Sequence, residues 1–194
     1  MNYINITDKM MFLLLLLLQI TIITLVPAIA VQLAKQPVEK KYDLSSIRVI
    51  AVGAAPIGKE IIARLAEKFN CFVLQGYGMT ESSMRTHGNT LTDNRFGSIG
   101  ITLPFCQTKV MDPETGRTLG PNQNGEICVR GPIVMKGYFG DEKSTSSTID
   151  ADGWLHTGDI GYYDDDGFFY ITDRMKELIK YKGLQVGGLL ETRE

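Results

Sequence analysis

The dominant hydrophobic feature is an uncharged stretch from Met10 to Ala34, holding an unbroken leucine run at 13–18. Such a run is long enough to cross a bilayer. Lys9 precedes it, "VPAIA" (26–30) ends like a signal-peptide cleavage site, and Asn5-Ile6-Thr7 is a glycosylation sequon. The competing reading is a strand and helix buried in an α/β core, with Gln19, Thr21, Thr24 and Pro27 as punctuation. At the level of pattern both readings stand.

Beyond this run the periodicity is clearer. "RVIAVGAAP" (48–56) predicts a buried strand followed by a turn of small residues. "IGKEIIARLAEKF" (57–69) predicts an amphipathic helix with Ile57, Ile61, Ile62, Leu65 and Phe69 on one face. "CFVLQ" (71–75) predicts a second strand. Strand, helix and strand at this spacing form a βαβ unit, so the two strands should run parallel. From about Ser98 the pattern becomes short β-rich runs, "KVMD", "GEICVRG", "IVMKGYF" and "FFYIT", separated by turn clusters. This predicts an antiparallel β subdomain, with "DDDG" (164–167) as a hairpin turn.

Composition narrows the class. The 194 residues suit one domain, or one domain with part of a second. The net charge of −2 offers no basic field for nucleic acid. Three cysteines without a C-x-x-C pair, and only two histidines, argue against a Cys/His zinc site and against a disulfide framework. Oligomeric state is not readable.

The candidate chemistry lies where strands end. In a parallel sheet, ligands bind beyond the carboxyl ends of the strands. "GAAP" (53–56) and "GYGMTE" (76–81) sit there, and their small residues let a ligand approach the backbone. Thr80 adds a hydroxyl and Glu81 a carboxylate, a pairing suited to a nucleotide with a divalent cation. Taken singly, each loop reads first as an ordinary turn, the second with a solvated glutamate. Asp159, between two glycines in "HTGDIG", likewise reads as a turn residue or a ligand-binding carboxylate.

Together, "QGYGMTE", "GEICVRGP", "GWLHTGD" and "DRMKELIKYKG" resemble the adenylate-forming superfamily, in particular luciferase-like and 4-coumarate–CoA-ligase-like acyl-CoA synthetases. The resemblance runs from about Ile20 to Val186. It implies an α/β fold: part of the large N-terminal domain, comprising a parallel βαβ unit and an antiparallel β subdomain, with a truncated start of the C-terminal domain. The implied domains are a divergent apolar N-terminus (1–18), the AMP-binding portion (19–172) and the hinge with the start of the C-terminal domain (173–194). The implied reaction is ATP-dependent activation of a small carboxylic acid to an acyl-adenylate, then transfer to coenzyme A, with Mg²⁺. In luciferin 4-monooxygenase-like members the adenylate is oxidised instead.

By position, the resemblance puts Gly53, Ala54 and Ala55 against adenine and the acyl pocket, Tyr77 near the adenine, and Gly76 and Gly78 beside the acyl group. It gives Thr80 a phosphate oxygen, Glu81 the Mg²⁺, Asp159 the ribose hydroxyls, and Arg174 the ribose or phosphate. Lys176 matches the hinge, and Lys180 and Gln185 match positions that assist catalysis. The family's phosphate loop and its late catalytic lysine have no counterpart in this sequence, so little turnover is expected from this chain. A non-catalytic nucleotide-binding protein and a membrane-anchored relic are the alternatives. The resemblance favours a core segment at 20–35 over a membrane span at 10–31, and implies a peroxisomal or cytoplasmic location, although no terminal Ser-Lys-Leu is present.

Overall fold

The computed structural model describes residues 13–35, 42–83 and 85–175, and the backbone of 179–181 and 184–186. The chain divides into two compact units. The first takes residues 1–76 and 89–97, the second 77–88 and 98–194.

Among its described residues the first unit holds three parallel strands and, after a helical segment at 13–17, two helices. β1 (Ile22–Leu25) pairs with β2 (Val49–Val52), and β2 with β3 (Phe72–Gly78), both in parallel register. Helix α1 (Pro27–Lys35) follows β1, and α2 (Lys59–Phe69) connects β2 to β3. The expected βαβ unit is therefore present, with its helix starting two residues later than the apolar pattern suggested. Gly58 caps its start in an extended conformation, and Asn70 ends it in the left-handed region (φ 47°). Ile62 and Leu65 of α2 join Ala30 and Leu33 of α1 and Ile50, Val52 and Val73 of the strands in one buried core. Polar side chains tie the returning segment to β3: Asn94 Nδ2 donates to the Val73 carbonyl at 3.0 Å and Asn89 Nδ2 to that of Gln75 at 3.3 Å.

The expectation that 10–31 could span a membrane or anchor the chain is corrected here. Among the described residues no helix is long and apolar enough to cross a membrane. The run is instead divided between three elements. Residues 13–17 are helical, Gln19 turns the chain at φ 48° and donates from Nε2 to the Leu16 carbonyl at 2.9 Å, and β1 and α1 follow. Leu15, Ile23, Leu25 and Ile29 pack on the core just described. Apolar sequence here fills a strand and helix layer, and Pro27 opens a new helix at a position where its missing N–H costs nothing.

The second unit is antiparallel. Its five-stranded sheet has the order β10-β9-β8-β6-β7, from β6 (Gln107–Met111), β7 (Thr118–Leu119), β8 (Gly125–Arg130), β9 (Leu155–Tyr163) and β10 (Phe169–Arg174). A short antiparallel pair, β4 (Arg85–Gly88) with β5 (Ile101–Thr102), belongs to the same unit. Three of the four expected β runs are strands. "IVMKGYF" is not; it forms turns, with Val134 N–H donating to the Gly131 carbonyl at 3.1 Å, and leads into helix α3 (Glu142–Thr148). Three glycines and a proline within 131–140 interrupt the ladder there. The "DDDG" hairpin is as expected: Asp164 Oδ1 accepts from Asp166 N and Phe168 N, and Gly167 takes φ 82°. Beyond it, β11 (Ile179–Tyr181) and β12 (Leu184–Val186) pair antiparallel.

His87 is fully buried in this unit. Its Nδ1 lies 2.9 Å from Thr86 Oγ1, its Nε2 3.1 Å from Thr108 Oγ1, and its ring centroid 4.6 Å from that of Phe169. Burial lowers its pKa from 6.5 to about 3, so the folded protein keeps it neutral. The unfolded chain takes up a proton below pH 6.5 that the folded chain refuses, so stability falls as pH drops from there towards 3. Denaturant unfolding should therefore show a loss of about 2 kcal/mol between pH 7 and pH 5, a slope that His87→Gln removes.

Candidate functional site

The sequence "GYGMTE" leaves β3 and enters a single 3-10 turn at Thr80–Ser82. Ser82 locks the turn, accepting from Met79 N–H at 3.1 Å while donating to the Met79 carbonyl at 2.9 Å. Ser83 then reverses the chain at φ 57°. The turn leaves Thr80 exposed and Glu81 half-buried. The segment after β8 secures Glu81 twice. Met135 N–H donates to its carbonyl at 2.8 Å, and the Tyr138 hydroxyl donates to Oε1 at 2.8 Å. The Tyr138 phenol is raised above its usual pKa, chiefly by that bond to the carboxylate.

Asp159 sits in mid-β9 with 7 % of its surface exposed. The Tyr77 hydroxyl donates to its Oδ2 at 2.5 Å, and Arg174 Nε forms an ion pair with its Oδ1 at 3.0 Å. The Arg174 contact follows from the β9–β10 register, which sets these two residues directly opposite. Burial, and then the Asp159 charge, push the Tyr77 phenol far above its ordinary pKa, so it remains a donor. Thr157 Oγ1 accepts from the Asp159 backbone N–H at 3.1 Å and donates to the Ile127 carbonyl at 2.7 Å. The result is a buried carboxylate with a hydrogen bond on Oδ2 and an ion pair on Oδ1. Each oxygen keeps acceptor capacity for a further hydroxyl.

In the first unit, Gly53, Ala54 and Ala55 follow β2, and Gly76 lies near the end of β3. A methyl group on Gly53 would lie 3.4 Å from the Gly76 carbonyl oxygen. Ala54 adopts φ 73°, a costly conformation for a residue with a Cβ. Gln75 is buried, and its Oε1 has no hydrogen-bond partner among the described residues. A buried acceptor of this kind calls for a donor.

The fold thus unites Tyr77, Asp159 and Arg174, and separately joins Glu81 to Tyr138. Lys180 and Gln185 face each other in the β11–β12 register, and their side chains lie outside the described residues, as does Lys176 altogether. Sequence reading passed over Glu126 and His156, although both stand in quoted motifs. Glu126, Cys128 and His156 bring one ligand atom each to within 4.8 Å of one another, a grouping that their spacing along the chain does not suggest. Within it, His156 Nδ1 and Glu126 Oε2 already share a 2.7 Å hydrogen bond. Burial and the Glu126 charge push the Cys128 thiol up to about 12, so it stays protonated. All three cysteines are free.

This arrangement, parallel strands ending in glycine-rich loops followed by an antiparallel sheet, is the large-domain fold of adenylate-forming enzymes. An ATP-bound MatB structure from Rhodopseudomonas palustris matches it with a TM-score of 0.85 and 32% identity, over 92% of this chain and 35% of that one. The chain belongs to the AMP-binding enzyme family, whose model matches residues 4–139. It is 50% identical to 4-coumarate-CoA ligase 2 of Narcissus pseudonarcissus over 86% of its own length, and 47% identical to luciferin 4-monooxygenase of Photinus pyralis over 84%. The chain spans 30% of the length of each of those two relatives.

Proposed function

We propose that this chain forms the adenosine- and magnesium-holding part of an enzyme that activates a small carboxylic acid with ATP and passes it to coenzyme A. The observation that carries this reading is the buried Asp159 carboxylate, oriented by Tyr77 and Arg174 with capacity left on both oxygens. Two acceptor oxygens on one rigid group match the paired hydroxyls of a ribose. Tyr77 stands beside them as an aromatic face for adenine, and Arg174, more than half exposed, is free to reach ribose or phosphate.

The donor set also fits a hard cation. Glu81 presents a half-buried carboxylate steadied by Tyr138, and Mg²⁺ takes such oxygens while keeping several waters. When bound, Mg²⁺ neutralises charge on the triphosphate. Thr80 donates its hydroxyl to a phosphate oxygen. The substrate carboxylate then attacks the α-phosphorus, pyrophosphate leaves, and the thiol of coenzyme A later displaces AMP. Positioning and charge stabilisation carry such phosphoryl chemistry. Gly53, Ala54 and Ala55 flank adenine and acyl group, with Gly76 and Gly78 leaving room beside them. In this reading Lys176 is the hinge, and Lys180 and Gln185 serve the half-reactions from the start of a C-terminal domain at 173–194, after an AMP-binding portion at 19–172 and a divergent stretch at 1–18. Named relatives make 4-coumarate the first acid to try.

Calorimetric titration of the purified chain with a non-hydrolysable acyl-adenylate analogue, or with an ATP analogue and varied Mg²⁺, tests the reading. Saturable binding is expected for both ligands. Glu81→Gln should raise the Mg²⁺ needed for half-maximal ATP-analogue binding by about tenfold or more. A folded chain that binds neither ligand sinks the proposal.

A further inference from the structure

We infer that Glu126, braced by His156, is a positioning residue that fixes the turn carrying Asp159; its effect on ligand recognition rests on the nucleotide reading above. Glu126 is 6 % exposed, on β8, and its two oxygens reach across to β9. Oε1 accepts from Gly158 N–H at 3.0 Å, and Oε2 is bonded to His156 Nδ1 at 2.7 Å. The other ring nitrogen of His156 lies 3.6 Å from Asp150 Oδ2. One carboxylate thereby grips β9 at residues 156 and 158, immediately before Asp159.

The backbone explains why such a grip is needed. Gly158 takes φ 72°, a left-handed conformation inside a strand. The β8–β9 ladder shifts register between Glu126 and Cys128, opposite this point. Such a bulge re-aims the side chains that follow it and leaves ladder groups unpaired. The Gly158 N–H is one that a regular ladder would satisfy with a carbonyl, and here the Glu126 side chain takes it. Burying a carboxylate is costly without hydrogen-bond donors. Glu126 meets that cost with donors that also define the bulge. Asp159 then enters the ladder opposite Arg174, within reach of Tyr77.

The test compares Glu126→Ala with Glu126→Gln in the full 194-residue chain. Glutamine keeps a carbonyl for the Gly158 N–H, whereas alanine does not. Amide hydrogen exchange at Gly158 should accelerate about tenfold or more in Glu126→Ala, and stay within about threefold of the parent in Glu126→Gln. Exchange in β6 should change in neither. The second readout is the affinity ratio between AMP and 2′,3′-dideoxy-AMP. It should collapse towards unity in Glu126→Ala and be kept by Glu126→Gln, whereas a loss of general stability would weaken both ligands alike. Unchanged Gly158 exchange in folded Glu126→Ala overturns the inference, as does an unchanged ratio. If the parent chain does not bind AMP, the nucleotide reading fails, and exchange alone decides the positioning. Should Glu126→Ala not fold, Glu126→Asp, one methylene too short to reach Gly158, replaces it in the comparison.

Discussion

Asp159→Ala is expected to lower affinity for AMP by about a hundredfold or more, because in the proposed reading two charge-assisted hydrogen bonds to ribose hydroxyls would be lost together. The side chain is 10 % exposed, so water does not readily take over its role. The substitution also removes the 2.5 Å acceptor of the Tyr77 hydroxyl, leaving Thr157 as its side-chain neighbour. Tyr77 then turns away or accepts a water, and the aromatic face beside the carboxylate loses its fixed orientation. The Arg174 contact contributes less, since the guanidinium is 55 % exposed and a solvent-screened pair is worth about 0–1 kcal/mol. Asp159→Asn separates these effects. It keeps one acceptor for Tyr77 and for a hydroxyl while removing the charge, and should fall between the parent and alanine. Calorimetry with AMP, alongside a thermal melt to establish folding, checks the order. Equal affinity in a folded Asp159→Ala chain would remove Asp159 from any role in nucleotide recognition.

Gly161→Ala should be the most damaging single-methyl change in the second unit, at roughly 3 kcal/mol or more. Gly161 lies in β9 between β8 and β10, opposite Gly125 on one side and Ile171 on the other. A Cβ there would meet the Tyr170 carbonyl oxygen at 2.2 Å and Ile127 Cδ1 at 2.8 Å. The first is a backbone atom in the ladder, and it cannot retreat without breaking the β9–β10 pairing that places Arg174 against Asp159. Gly158→Ala is the informative contrast. It has open space around the added methyl but a left-handed φ of 72°, so only the conformational cost of about 1 kcal/mol applies. Urea unfolding of both variants should give a clear gap between them. Equal losses would mean that β9 and β10 part easily here, and the register argument for the site would weaken.

The contrast between these two glycines also marks where sequence reading succeeds and where it stops. Both belong to one motif, "GWLHTGDIGYY", and nothing in their local sequence separates a glycine needed for φ from one needed for space. The same holds for Glu126. It reads as the polar residue of a strand, and its bond to Gly158 depends on a bulge between strands some thirty residues apart. The pattern of "IVMKGYF" (133–139) points to a strand because Ile133, Val134 and Tyr138 carry β propensity, yet the segment forms turns. Propensity there yields to glycines and to a tertiary bond, Met135 N–H to the Glu81 carbonyl. The N-terminal run shows the opposite difficulty. Its apolarity suits a bilayer and a protein core equally well, and only the partners of Leu15, Ile23 and Ile29 decide the matter.

By itself the sequence determined what local chemistry controls: the amphipathic α2 from its spacing of isoleucine and leucine, the parallel βαβ unit, the Asp164–Gly167 hairpin, and the motif order that marks the family. These follow from periodicities of 3.6 and 2 and from turn residues, which act over a few positions. The tertiary structure alone decided which residues meet. Tyr77, Asp159 and Arg174 converge because the 3.0–2.5 Å contacts among them are set by strand register and by the path of β3 into its turn. Hydrogen bonds and ion pairs reach only about 3 Å, and no pattern along the chain specifies a distance of that kind between residues 82 positions apart.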